Sequence, residues 1–215
     1  MKYKIAIFDM DGTILNTIDD LADAMNYCLK CFDMPVRTVD EVRMFVGNGI
    51  HKLVERAVPE GTSDETLEEV FKLFNEYYKD HCAIKTRPYD GICEVIEALR
   101  KMGMKTAVVS NKADYAVKSL CRDYFPGLFD YSVGDREGQR RKPCPDSVNA
   151  VLDYFKLDKS EAVYLGDSDV DLETARNAGM DVIMVGWGFR DEAFLRAAGA
   201  DTIIHHPTRI LEIVS

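Results

Sequence analysis

The chain has 215 residues, 47% hydrophobic, 30% charged and 10% aromatic. That balance excludes collagen-like, low-complexity and disordered chains, and the length allows a sizeable core without disulfide or metal staples. A net charge of −10, from 37 acidic against 27 basic residues, argues against nucleic-acid and anionic-membrane partners and requires local cations or a metal to hold any anionic substrate.

The first apolar run, Lys4 to Phe8, is short and rich in Ile, and reads as a strand buried on both faces. It is too short for a secretory signal, and Asp9 interrupts it. No segment approaches the roughly 20 apolar residues that span a bilayer. The strand runs directly into Asp9-Met10-Asp11-Gly12-Thr13. An acid ending a buried strand is costly unless something pairs with it.

The next seventy residues read as helical. Leu21, Met25, Cys28, Leu29 and Phe32 form one stripe, and Leu67, Val70, Phe71, Phe74 and Tyr78 a second. Thr62 and Glu65 have capping-box spacing before the second stripe. Gly47-Asn48-Gly49 breaks the region between them. Residues 16–85 are therefore expected to form an all-helical insertion, with residues 1–15 and 86–215 as the core. Cys28-x-x-Cys31 lies on the first stripe without a second pair, so Cys28 reads as packing. Six cysteines spread along a chain of this size fit reduced thiols and a cytoplasmic location.

Strand and helix then alternate. A helix marked by Ile92, Val95, Ile96 and Leu99 precedes a strand at Thr106 to Val109, which ends in Ser110-Asn111-Lys112. A hydroxyl, an amide and free N–H groups at the start of a helix, expected from about Lys112, form an anion site; Ser110 could equally cap that helix. Arg140-Arg141-Lys142 is the one basic run, and Pro143 holds the chain extended after it. Lys142 alone would read as a solvated loop lysine. A helix over Asp146 to Phe155 leads to the strand Ala162 to Leu165, which ends in Gly166-Asp167-Ser168-Asp169-Val170-Asp171. Asp169 and Asp171 open a helix to Ala178 and could be no more than caps. After the strand Val182 to Val185, Gly186-Trp187-Gly188 makes a turn in which Trp187 is expected to line the site mouth. A weak strand at Thr202 to Ile204 precedes His205-His206, which lack an acidic or thiol partner in the nearby sequence.

This alternation predicts an α/β chain: a doubly wound, Rossmann-like parallel sheet carrying the inserted helical domain. Ligands of such sheets bind beyond the carboxyl ends of the strands. Asp9, Asp11, Asp167 and Asp171 converge there, and a divalent cation would relieve their repulsion; hard oxygen donors favour Mg²⁺.

Asp9-Met10-Asp11-Gly12-Thr13, Ser110-Asn111, Lys142-Pro143 and Gly166-Asp167-Ser168-x-x-Asp171 resemble, in order and spacing, the four motifs of the haloacid dehalogenase superfamily. The helical insertion resembles the small cap of one subgroup. The resemblance implies phosphoryl transfer, with Asp9 as nucleophile and Asp11 as general acid and then base. It implies Mg²⁺ held by the Asp9 carboxylate, the Asp11 carbonyl and the Asp167 carboxylate, with Asp171 supporting them. Ser110, Asn111 and Lys142 would bind phosphoryl oxygens, while Gly12 and Thr13 fix the loop.

An acid at position 11 favours ester cleavage over carbon–halogen cleavage. Relatives resembling β-phosphoglucomutase carry a cap histidine about nine residues after the second aspartate. Here that segment reads Asp19-Asp20-Leu21-Ala22, which favours hydrolysis over a mutase. A catalytically silent phosphate-binding scaffold is the third reading, and the intact motifs argue against it. Val42-Arg43-Met44-Phe45-Val46-Gly47-Asn48-Gly49 is similar to the cap of phosphoglycolate phosphatase-like enzymes, which implies a small phosphomonoester substrate. Asn48, His51 and Arg43 are its candidate contacts. A monomer and a homodimer are both compatible with the sequence.

Overall fold

A computed structural model describes residues 2–215. Strand β1 (Ile5–Phe8) is followed by β2 (Leu15–Asn16) and four helices, α1 (Ile18–Cys31), α2 (Val39–Phe45), α3 (Ile50–Ala57) and α4 (Asp64–His81). Strand β3 (Arg87–Pro88) and helix α5 (Ile92–Lys101) lead into β4 (Lys105–Ala113), α6 (Asp114–Tyr124), β5 (Tyr131–Asp135) and α7 (Asp146–Phe155). The chain ends with β6 (Ala162–Gly166), α8 (Asp169–Ala178), β7 (Asp181–Val185), α9 (Glu192–Ala197), β8 (Ile203–Ile204) and α10 (Arg209–Val214).

Six strands form one sheet in the order β5-β4-β1-β6-β7-β8, every neighbouring pair parallel. Strand residues alternate between two apolar layers, as the period of two dictates. Ala6, Phe8, Val108 and Leu165 pack with Ile92 and Ile96 of α5 and Val117 and Leu120 of α6. Ile5, Ile7, Val109 and Tyr164 pack with Val148 and Val151 of α7 and Ala175 of α8. Covered on both sides, these strands carry continuous apolar runs. The α/β parallel core expected from the sequence is present.

The chain divides into two compact units: residues up to Leu15 together with Pro88 onward, and Asn16–Arg87. In the second unit Leu21, Met25, Cys28 and Leu29 of α1, and Val70, Phe74 and Tyr78 of α4, are buried. Phe74 and Tyr78 stack with ring centroids 5.2 Å apart. The buried Asp20 carboxylate accepts main-chain N–H bonds from Ile84, Lys85 and Thr86 at 2.8–3.0 Å, tying the start of α1 to the segment leaving α4.

Two boundaries differ from expectation. Thr62 does not open α4; its hydroxyl donates to Pro59 O, and Ser63 caps the helix by accepting from Thr66 N. The helix expected from Lys112 begins at Asp114, because β4 continues to Ala113 and pairs again with Asp135 after a register shift. Asp114 then accepts the Gly134 N–H, which anchors the new helix start to β5.

Candidate active site

Asp9 follows β1 and still donates its N–H to Leu165 O at 2.8 Å, so the sheet itself aims it. Beyond it the chain folds back through N–H bonds from Thr13, Ile14 and Leu15 to Met10 O. Gly12 sits at φ +84°, and a Cβ there would lie 2.2 Å from Asp167 Oδ2. Only glycine satisfies both that dihedral and that approach.

Asp167 leaves β6 next door, fully enclosed. Its Oδ1 accepts from Thr13 Oγ1 at 3.1 Å and its Oδ2 from the Phe189 N–H at 2.7 Å. A Cβ on Gly188 would fall 2.2 Å from Asp167 Cβ, so the loop after β7 closes against this carboxylate. Asp171, in the first turn of α8, accepts at Oδ2 from Asp167 N, Ser168 N and Ser168 Oγ. Its Oδ1 accepts from Lys142 Nζ at 2.7 Å and Tyr164 OH at 3.2 Å. Asp171 does form part of a cap, as its sequence position allowed, and it also holds a buried lysine.

That lysine is delivered by a reciprocal pair of bonds: Lys142 N donates to Asn111 Oδ1 and Asn111 Nδ2 donates to Lys142 O. Lys142 Nζ lies 2.8 Å from Asp9 Oδ1, yet that oxygen accepts no bond of hydrogen-bond geometry. Asp9 therefore presents a buried oxygen that is charge-compensated but not hydrogen-bonded. On the neighbouring side, Lys112 Nζ donates to Asp11 Oδ1 at 2.9 Å, and Ser110 Oγ accepts from Lys112 N.

Burial dominates the electrostatics. Desolvation, and then the Asp171 charge, push the Asp9 carboxyl up to about 7 against the pull of Lys142. Desolvation with the charges of Asp171 and Asp9 holds Asp167 well above the usual carboxylate range. Desolvation opposes the charge on Lys142, but Asp171 and Asp9 outweigh it, so its ammonium persists well above the ordinary lysine range.

Oxygens of Asp9, Asp167 and Asp171 lie within 4.8 Å of one another, the one such carboxylate, histidine or cysteine group among the described residues. The donor set is hard oxygen and Asp9 Oδ1 is an acceptor without a donor, so the site fits a hard divalent cation. The two Asp171 oxygens accept five donors between them, the Lys142 ammonium included, whereas each Asp167 oxygen accepts one, which leaves Asp9 and Asp167 as the carboxylates that would contact it.

A sequence profile of haloacid dehalogenase-like hydrolases matches residues 6–185. A phosphoglycolate phosphatase of Mesorhizobium japonicum is 32% identical, covering 99% of this chain and 96% of its own. One from Aquifex aeolicus is 30% identical over 86% of each chain. A crystal structure of a candidate phosphoglycolate phosphatase from Lactobacillus delbrueckii subsp. bulgaricus superposes with a TM-score of 0.95 at 38% identity, covering 100% of this chain and 99% of that one.

The chain belongs to the haloacid dehalogenase-like hydrolase family.

Within that family frame, the sheet edge brings together Asp9, Asp11, Thr13, Ser110, Asn111, Lys142, Asp167 and Asp171. The Asn111 side chain is committed to the Lys142 backbone, so it shapes the site by placing that lysine. Asn48 lies in the other unit, where Oδ1 accepts from Arg56. His51 pairs with Glu68 and packs edge-on to Phe71; Arg43 pairs with Asp40 on an exposed helix.

Trp187 is half-buried: its Nε1 donates to Thr13 O, in the loop that follows β1, and its ring packs on the core. Two further expectations change. His205 has an acidic partner after all, Glu192 at 3.0 Å, supplied by α9 rather than by nearby sequence. The basic run is neutralised, Arg140 by Asp146 and Arg141 by Asp135, while Lys142 turns inward.

The family motifs do not include Lys112, Tyr164 or Gly188. Tyr164 was detectable as the lone hydroxyl in an apolar strand. Lys112 stands two residues after Ser110, at strand spacing, but its helical reading hid it. Nothing local marks Gly188, because what excludes a side chain there is an acid 21 residues earlier in the chain.

Proposed function

We propose that this hydrolase is a Mg²⁺-dependent phosphatase that cleaves a small phosphomonoester, phosphoglycolate or a close analogue, through an aspartyl phosphate on Asp9. The observation that carries the reading is the buried Asp9 oxygen, compensated by Lys142 but accepting no hydrogen bond. A carboxylate in that state keeps a lone pair available for phosphorus. Asp9, Asp167 and the Asp11 carbonyl would hold the cation, with Asp171 behind them. When bound, the cation supplies positive charge that favours ionised Asp9 and offsets phosphoryl charge.

An Asp9 oxygen forms the bond to phosphorus as the ester P–O bond breaks. The departing oxygen keeps the bonding pair and takes a proton from the Asp11 carboxyl. Asp11, now a carboxylate, then accepts a proton from water. The water oxygen bonds to phosphorus, the P–O bond to Asp9 breaks, and inorganic phosphate leaves. Lys142 stabilises negative charge on the phosphoryl oxygens throughout, with Ser110 at the same edge as a second donor.

The segment where mutase relatives carry a cap histidine holds Asp20, whose two oxygens are taken by main-chain N–H groups, and this supports hydrolysis. Among the described residues no helix is long and apolar enough to cross a membrane, and the six cysteines are free, which fits a reducing compartment such as the cytoplasm. One relative, from Pseudomonas aeruginosa and 29% identical, is named N-acetylmuramic acid 6-phosphate phosphatase, so sugar phosphates belong in the substrate panel.

The test is phosphate release with Mg²⁺ from p-nitrophenyl phosphate, phosphoglycolate, sugar phosphates, nucleoside monophosphates and pyrophosphate. Asp9→Asn is expected to abolish release while circular dichroism stays native. Near-normal release from that variant would remove Asp9 from the nucleophile role. Isomerisation of a sugar 1-phosphate with little free phosphate would reassign the reaction to a mutase.

A further inference from the structure

The two aspartates given chemical steps, Asp9 and Asp11, each face a buried lysine. Lys142 Nζ serves Asp9, and Lys112 Nζ donates to Asp11 Oδ1 at 2.9 Å, with side-chain exposures of only 2% for Lys112 and 15% for Asp11. A buried ammonium is retained only against an anion, so this contact is part of the folded site and not a surface pair. The chain also fixes the lysine backbone twice. Ser110 Oγ accepts the Lys112 N–H, and β5 approaches so closely that a Cβ on Gly134 would lie 2.4 Å from Lys112 O. The extension of β4 past its pairing with β1 brings Lys112 to Asp11, where a helix begun at 112 would have turned it away.

We propose that Lys112 is a positioning residue: it anchors Oδ1 of the Asp11 carboxyl group, in its protonated and its ionised state alike, so that the other oxygen can give its proton to the leaving oxygen and, later, take one from the attacking water. The proposal rests on the acid–base role given to Asp11 above. An acid–base group acts within about 2.6–3.2 Å of the proton it moves, so a loosely held carboxylate loses rate without losing substrate binding.

The test is a double-mutant cycle on the ester of the panel with the highest kcat/KM, using Lys112→Met, Lys112→Arg, Asp11→Asn and Lys112→Met with Asp11→Asn. Lys112→Met is expected to lower kcat by about tenfold or more with KM within about threefold. Lys112→Arg should recover most of that loss. In the Asp11→Asn background, Lys112→Met should cost nothing further. A loss carried by KM would make Lys112 a substrate ligand, and multiplicative losses would make it independent of Asp11; either overturns the proposal, as does an unchanged kcat. If Asp11→Asn keeps the wild-type kcat, the acid–base reading itself fails, and the positioning role with it. Should Lys112→Met not fold, Lys112→Gln runs the same cycle with the same expected non-additivity.

Discussion

Single atoms decide what the acidic cluster can do. Gly188 is invisible as a functional residue until the position of Asp167 is known, yet a methyl group there would lie 2.5 Å from Oδ2. Gly188→Ala is expected to displace the Asp167 carboxylate and lower phosphate release about a hundredfold, the scale of a misplacement near 1 Å. Secondary structure by circular dichroism should not change. The raised Asp9 carboxyl gives a second expectation. The metal-free folded state holds a proton up to about pH 7 that the unfolded chain has lost near pH 4. Folded protein thus binds more protons across that window, and its stability falls as pH rises through it. Urea unfolding of metal-free protein should show a loss of roughly 2 kcal/mol between pH 5 and 7, flattening above. Stability that rises over that interval would contradict a desolvated Asp9 whose burial outweighs the pull of Lys142.

At the level of elements, the important feature is how strand ends become loops. β1 and β6 stop at carboxylates, β4 runs on past its pairing with β1, and the loop after β7 closes on Asp167. In the helical unit, Asp20 does comparable work for a connection: one carboxylate takes three N–H groups and fixes how the chain leaves α4 relative to where it entered α1. Asp20→Ala removes the acceptor of all three N–H groups, of which only that of Thr86 belongs to a buried residue, and should cost about 1–3 kcal/mol in denaturant unfolding. A change below 0.5 kcal/mol would show that water replaces the carboxylate.

For the whole molecule, net charge and site charge pull together. On the function proposed above, a chain at −10 that gathers carboxylates in its interior would need a cation to work on an anionic ester. Chelation with EDTA should stop phosphate release and added Mg²⁺ restore it. Mg²⁺ should also raise the Tm more at pH 8 than at pH 5, because protons compete for the same oxygens. Equal Tm shifts at both pH values would place the cation elsewhere.

The linear order of residues fixed the layered parallel core, since apolar runs of four or five residues between helical stripes have few other ways to be buried. It also marked Asp9 and Asp167, because charge at the end of a buried strand is costly wherever the strand lies, while Asp11 and Lys142 stood out only through the motifs they belong to. Only the three-dimensional arrangement could commit Asn111 to the Lys142 backbone, give His205 its Glu192 partner, seat Trp187 on the core and set Lys112 against Asp11. Each of these depends on groups brought together from distant parts of the chain, and pairing of that kind leaves no periodic trace in a local window.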